Sequence, residues 1–226
     1  MASNPYASAH IAAGTGAAFV GLLIVGMLLL NIPGHDDSDA IVNEFYASSG
    51  DRARVVSAAY VLAGAGLAFL VFTTLLHGCL RAIEGGSGTL SAIAFGAGLI
   101  FAVSLFAFGT AQSPTYSLSV DTFDEPQSEL TRAVIPHLGY SMFIYGLLAA
   151  ATMIASTSLL ILRSEAFSTW LAWAGFVSAT ILVFGILFVP IFALPLWVLA
   201  VSFELIRARW RYGETRREST DTNSVV

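Results

Sequence analysis

The sequence predicts an all-α, polytopic transmembrane bundle of six helices, with both termini on the inner side of the membrane. Three observations predict it. Apolar residues make up 56% of the chain and charged residues 11%, less than half of the roughly 25% usual in soluble domains. The charges are also unevenly placed. Several apolar runs of about twenty residues carry none, the length a helix needs to cross a hydrocarbon core of about 30 Å. These runs do not alternate in polarity over about ten residues, as barrel strands do, so helices are left to satisfy the backbone in lipid.

Residues 1–11 precede the first run and hold no Lys or Arg, so the basic start of a cleavable signal is missing and the first helix reads as a retained anchor. That span covers about 12–30 and ends at Asn31, Pro33 and Gly34. The second covers about 55–80 and stops at Arg81; the third covers about 90–111 and the fourth about 134–162. From Trp170 to Ile206 only Glu204 is charged. One helix of that length would measure roughly 55 Å, so two spans, about 170–188 and 191–206, are expected to turn near Pro190. One span followed by a re-entrant segment is the competing count. Residues 12–212 thus form the membrane domain, and the polar, charged residues 213–226 read as a disordered tail.

Arginine sets the orientation. The ten basic residues are all Arg, which points to a GC-rich genome. With six spans, Arg81, Arg163, Arg207, Arg209, Arg211, Arg216 and Arg217 share one side with the N-terminus, and Arg52, Arg54 and Arg132 take the other. The richer side is the cytoplasmic one, so the expected location is the cell membrane, multi-pass. Arg207, Arg209 and Arg211 around Trp210 are expected to anchor to lipid headgroups. The outer loops are acidic, and Ser38 is placed to cap a short helix carrying the stripe Ile41, Val42, Phe45 and Tyr46. Asp124 is placed to cap a helix that enters the fourth span and kinks at Pro136.

The chemical inventory is sparse. No charged residue falls in the middle of a predicted span, where ionisable groups mark ion or proton paths. Phosphate loops, paired zinc histidines and nucleophile elbows are absent, so no cofactor, metal or catalytic set is expected. A net charge of −5 spread over loops gives no reason to expect nucleic acid as a partner. Cys79 is the sole cysteine and excludes an internal disulfide.

His137, after Pro136, shares related faces with Tyr140, Ser141 and Tyr145. His137, Tyr140 and Tyr145 are therefore the candidate ligand residues. The plain alternative is a histidine bonding a neighbouring helix. His77 lies beside Cys79, but residues this close on one helix do not converge on one ion, so an interfacial histidine is the simpler reading. His35, Asp36, Asp37 and Asp39 offer hard-cation ligands without EF-hand spacing and read as a solvated loop. Gly14, Gly64 and Gly98 each belong to a small-residue pair four apart and are candidate helix-packing residues, with homodimerisation as their functional alternative.

The stretches Asn43-Glu44-Phe45-Tyr46, Leu75-Leu76-His77-Gly78-Cys79-Leu80-Arg81, Glu84-Gly85-Gly86 and Asp124 to Arg132 resemble those of six-helix membrane proteins of GC-rich bacteria, notably actinobacteria, grouped as a domain of unknown function. The resemblance implies membrane location and helix count and carries over no catalytic residue. Three roles stay open. The first is a non-enzymatic accessory or scaffold subunit whose partners are the lipid bilayer and a second copy or another membrane protein. The second is a small-molecule transporter or channel with broken helices near Pro136 and Pro190. The third is an intramembrane enzyme using His137 with Asp124 or Glu129.

Overall fold

The computed structural model describes residues 8–30, 32, 38–112, 129–164, 167–184 and 192–223, without the side chains at 39, 42, 43, 46, 129–133 and 209–223. The described residues form seven α-helices and no strand. They are α1 (Ala9–Leu29), α2 (Asp39–Ala47), α3 (Ser49–Glu84), α4 (Thr89–Gln112), α5 (Glu129–Leu162), α6 (Thr169–Val183) and α7 (Ala193–Asn223). Four of them, α1, α3, α4 and the Val134–Leu162 part of α5, are long and apolar enough to cross a membrane. The chain is a membrane protein on that ground.

Local chemistry explains most of the boundaries. Ser48 holds an extended backbone and its Oγ accepts from Asp51 N–H at 3.3 Å. That cap, with Asp51 in the first turn, lets α3 begin six residues before the apolar run and reach 36 residues. Ser48 also closes α2, which is the short helix expected before the second span. Ser38 precedes α2, but its side chain makes no capping bond. Arg54 stands 5.6 Å over the Phe45 ring and pairs with Asp51 at 3.1 Å, tying α2 to α3. Pro136 lies inside α5 and does not end it. The tail expected to be disordered after Gly213 instead continues α7 as helix to Asn223. Glu and Arg are strong helix formers, and Glu214, Arg217 and Asp221 are spaced three and four apart as opposite charges.

α6 and α7 are two helices. Ser168, just before α6, meets Glu204 of α7, and Gly175, further along α6, meets Trp197, nearer the start of α7, so the pair is antiparallel. Pro190 and the rest of 185–191 lie outside the described residues. With 15 residues, α6 would be roughly 22 Å long, shorter than the hydrocarbon core.

The helices close a ring. α1 packs on α3, α3 on α4, α4 on α5, α5 on α6, α6 on α7, and α7 returns to α1. Neighbours run antiparallel, as Gly26 against Leu62 and Gly16 against Phe72 show for α1 and α3. Here "inner end" means the end holding the start of α1, the 85–88 turn and Arg207; the opposite end is the outer one.

Phenylalanines fill the ring's axis. Phe19 and Phe69 rings lie 4.7 Å apart, Phe69 and Phe101 4.9 Å, and Phe108 and Phe143 4.9 Å. All five are buried, so α1, α3, α4 and α5 share one aromatic core.

Candidate functional site

The outer stripe predicted on α5 is found at the surface. His137, Tyr140, Ser141 and Tyr145 are all exposed, Tyr145 by 67%. Ser141 Oγ donates to the His137 carbonyl at 2.8 Å. Asp124 lies outside the described residues, as does the Glu129 side chain. The glycines separate. A Cβ at Gly98 would stand 2.5 Å from Thr73 Cγ2 and 2.9 Å from Met153 Sδ, a contact only glycine permits. At Gly64 it would meet Leu22 at an ordinary 3.6 Å, and at Gly14 nothing within 4 Å. Arg207 pairs with Glu204, while the Arg209 and Arg211 side chains lie outside the described residues.

Polar order concentrates at the inner end. The α3–α4 turn carries three glycines at positive φ, Gly85 at 61°, Gly86 at 48° and Gly88 at 67°. Glu84 reaches across it and caps α4: one carboxylate oxygen accepts from Leu90 N–H and the other from Ser91 N–H, each at 2.8 Å. These are amides that a helix start leaves without internal partners. Arg81 donates to the carbonyls of Gly85 and Gly86 at 3.2 Å each. Lost hydration pushes the Glu84 carboxyl up, but the Ser91 and Leu90 donors and the Arg81 charge outweigh it and hold the group below the usual glutamate range. His77 Nδ1 lies 3.0 Å from the Ser91 carbonyl, and its ring sits 5.0 Å from Phe95. A carbonyl only accepts, so Nδ1 carries the proton. His77, Thr73 and Met153 line a crevice between α3, α4 and α5 that is too narrow to hold a water molecule.

The hydroxyls divide into two classes. Ser57, Thr74, Ser104, Thr110, Ser141, Thr152, Thr157 and Thr180 each bond the carbonyl four residues back at 2.8–3.1 Å; all but Thr157 and Ser104 are exposed, and Ser104 sits against Gly146 of α5. Thr73, Ser158 and Ser202 are at least nine-tenths buried and have no hydrogen-bond partner among the described residues. Trp197 Nε1–H, also buried, is in the same position. Each such hydroxyl rests on a glycine of the next helix: Thr73 on Gly98, Ser158 on Gly175, Ser202 on Gly16. A Cβ at Gly175 would also come within 2.8 Å of Trp197 Nε1. A Cα–H···O contact, worth about 0.5–1 kcal/mol, is the most that a glycine face offers such a hydroxyl. That falls short of the roughly 1–3 kcal/mol cost of an unpaired buried polar group.

Glu204 completes this inner set. Its side chain is wholly buried on α7, yet it is ionisable. Ser168 Oγ donates to its carboxylate, 3.2 Å from each oxygen, and Arg207 approaches from the exposed side at 3.5 Å. The start of α6 also places positive dipole beside the charge. In the sequence Glu204 lies close to the Arg-rich end of its span and so resembles an ordinary interfacial charge. Its isolation as the only charge between Trp170 and Ile206 was the available signal. The consecutive Ser156, Thr157 and Ser158 in an apolar helix were another. Among the described residues no three His, Cys, Asp or Glu side chains come together to hold a metal ion, and Cys79 is buried and forms no disulfide. The chain matches no protein-family model, no curated protein and no solved structure.

Proposed function

We propose that this protein is a multi-pass component of the cytoplasmic membrane, with both termini inside, that acts without catalysis as an accessory or scaffold subunit. The observation that carries this reading is the filled interior: an aromatic core joins four helices, and glycine contacts close the seams between the others. Its outward faces are apolar and available to lipid or to another membrane protein, as Leu28, Val103 and Trp173 illustrate. Arginine placement supports the orientation. The test is native mass spectrometry of the full chain released from nanodiscs, paired with in-membrane cross-linking. A defined oligomer or a stoichiometric membrane partner supports the reading. A strict monomer with no cross-linked neighbour sinks it.

A second reading, a small-molecule transporter or channel, draws on Glu204. An ionisable side chain buried on an apolar helix is by default a candidate for a solute or ion path. Flux into proteoliposomes that is lost in Glu204→Gln favours it. Liposomes as tight as protein-free ones count against it.

A further inference from the structure

We infer that two copies of this chain pair through the outer half of α5, along a seam of Ile135, Leu138, Met142 and Tyr145, about a two-fold axis normal to the membrane. The inference rests on the scaffold reading above and names its partner as a second copy. The depth, spacing and extent of the seam carry it.

Gly109 of α4 lies against Ala59 and Leu62 of α3, and Ala111 of α4 lies against Gly139 of α5. Tyr60 and Tyr140 therefore stand at about one height on the two helices that flank α4. Both are exposed, Tyr60 by 76%, as suits aromatic rings at a membrane interface. From Tyr60 to Arg81, beside the inner turn, α3 measures about 31 Å, which matches a hydrocarbon core of about 30 Å. Tyr140 thus marks the outer edge of that core on α5. Val134, Ile135 and Leu138 lie about 3–9 Å beyond it, among headgroups and water. At the same height α3 carries Arg54 and Ser57. α5 instead exposes Val134, Ile135 and Leu138 by 51%, 42% and 54%. Lipid tails do not reach such a patch, and contiguous apolar surface facing water marks a protein contact.

The spacing fits a helix as the occupant. Ile135, Leu138, Met142 and Tyr145 recur at alternating intervals of three and four residues, the a and d positions of a coiled-coil seam. Gly139 and Phe143, which hold α5 to α4, lie on a different face of the helix. Between Val134 and Leu162 there is no Asp, Glu, Lys or Arg, so nothing on the seam repels an identical seam. A second copy inserted in the same orientation carries its seam at the same height. A two-fold axis along the membrane normal then sets each residue beside its own counterpart.

The extent is sufficient for a pair. The four seam side chains and Val134, each exposed by 42–67%, present roughly 500 Å² per copy, so two copies together reach the roughly 1,000 Å² expected of a specific interface. Pairing is intermolecular. A nanodisc holding one copy leaves the seam open, so substitutions at Met142 or Tyr145 act on pairing and not on the stability of the single bundle.

Disulfide cross-linking of the full chain in liposomes tests this. Ile135→Cys and Leu138→Cys place thiols on the seam, and Tyr60→Cys, at the outer edge of the core on α3, is the reference. Cys79 is buried, so the parent chain serves as the blank. A disulfide needs Cβ atoms about 4 Å apart, so mild oxidation should couple Ile135→Cys and Leu138→Cys between copies on the order of tenfold faster than Tyr60→Cys. Leu138→Arg, at an exposed position, should keep the bundle folded and lower the dimer share several-fold in native mass spectrometry. Equal coupling at all three positions reports random collision and overturns the seam. A dimer that shows no coupling on α5 overturns the seam and leaves the scaffold reading standing, whereas a strict monomer without any partner overturns both. Coupling of Leu138→Cys to a different protein in the cell membrane overturns the second copy as occupant. Shielding of Leu138→Cys from a water-soluble maleimide in single-copy nanodiscs means that the chain covers its own seam, and it overturns the pairing.

Discussion

The two halves of α5 share one helix yet live in different surroundings. Between Ala150 and Ile161 almost every side chain is buried or half-buried, including Met153, Thr157 and Ser158. Between Val134 and Met142 only Gly139 is buried, and Val134, Leu138 and Met142 are exposed. The inner half is held from two sides, by Gly98 of α4 at Met153 and by Gly175 of α6 at Ser158. Among the described residues the outer half meets α4, through Gly139 against Ala111 and Phe143 against Phe108. Apolar sequence does not therefore mean core in this protein. In lipid, an exposed leucine costs little, and what marks the core is close approach of backbones.

The largest expected effect tests that contrast with one residue type. Met153→Ala should lower stability by about 2–5 kcal/mol, because it opens a cavity in a closed neighbourhood. Met142→Ala, at a position 42% exposed, should change it by less than about 0.5 kcal/mol. Unfolding followed in nanodiscs by circular dichroism reads both, and equal losses would break the comparison.

Glycines give the next effect. Gly175→Ala pushes a methyl into Ser158 and Trp197 and should cost about 1–3 kcal/mol. Gly14→Ala meets nothing within 4 Å and should be neutral or stabilise by up to about 1 kcal/mol through helix propensity. A loss at Gly14→Ala that appears only in membranes, not in dilute detergent, would show that a second chain uses that face.

The Glu84 cap ranks third. Its carboxyl is held below the usual range in the folded protein. Its contribution is therefore complete above the unfolded value of about 4.3 and is lost as pH falls through the lower folded value. Protection of the Leu90 and Ser91 amides against exchange, taken relative to the intrinsic rate at each pH, should fall with acidification in the wild type. In Glu84→Gln that dependence should be gone. The smallest effect is expected at Tyr145, 67% exposed on the outer half, where Tyr145→Ala should leave stability within about 0.5 kcal/mol. A large loss there would reveal an occupant on the outer stripe.

The sequence by itself determined the helical class, the break between α3 and α4 and the separation of α6 from α7. Each follows from short-range facts: uncharged runs of membrane length, the Glu84–Gly88 turn, and Pro190 in a stretch too long for one helix. It also placed the short helix before the second span, through the spacing of Ile41, Val42, Phe45 and Tyr46. It did not foresee that α3 begins at Ser49, because a serine cap extends a helix beyond its apolar run, or that α7 continues to Asn223. Only the tertiary structure decided which glycines are buried. Gly14 and Gly16 stand two apart on one helix, one open to the surroundings and the other under Ser202 and Phe72, and no periodicity distinguishes a lipid-facing small residue from a helix-facing one. The same holds for the hydroxyls. Thr73 and Thr74 are adjacent and chemically identical; the direction in which the neighbouring helix lies makes Thr74 a satisfied surface group and Thr73 a buried group with no hydrogen-bond partner among the described residues.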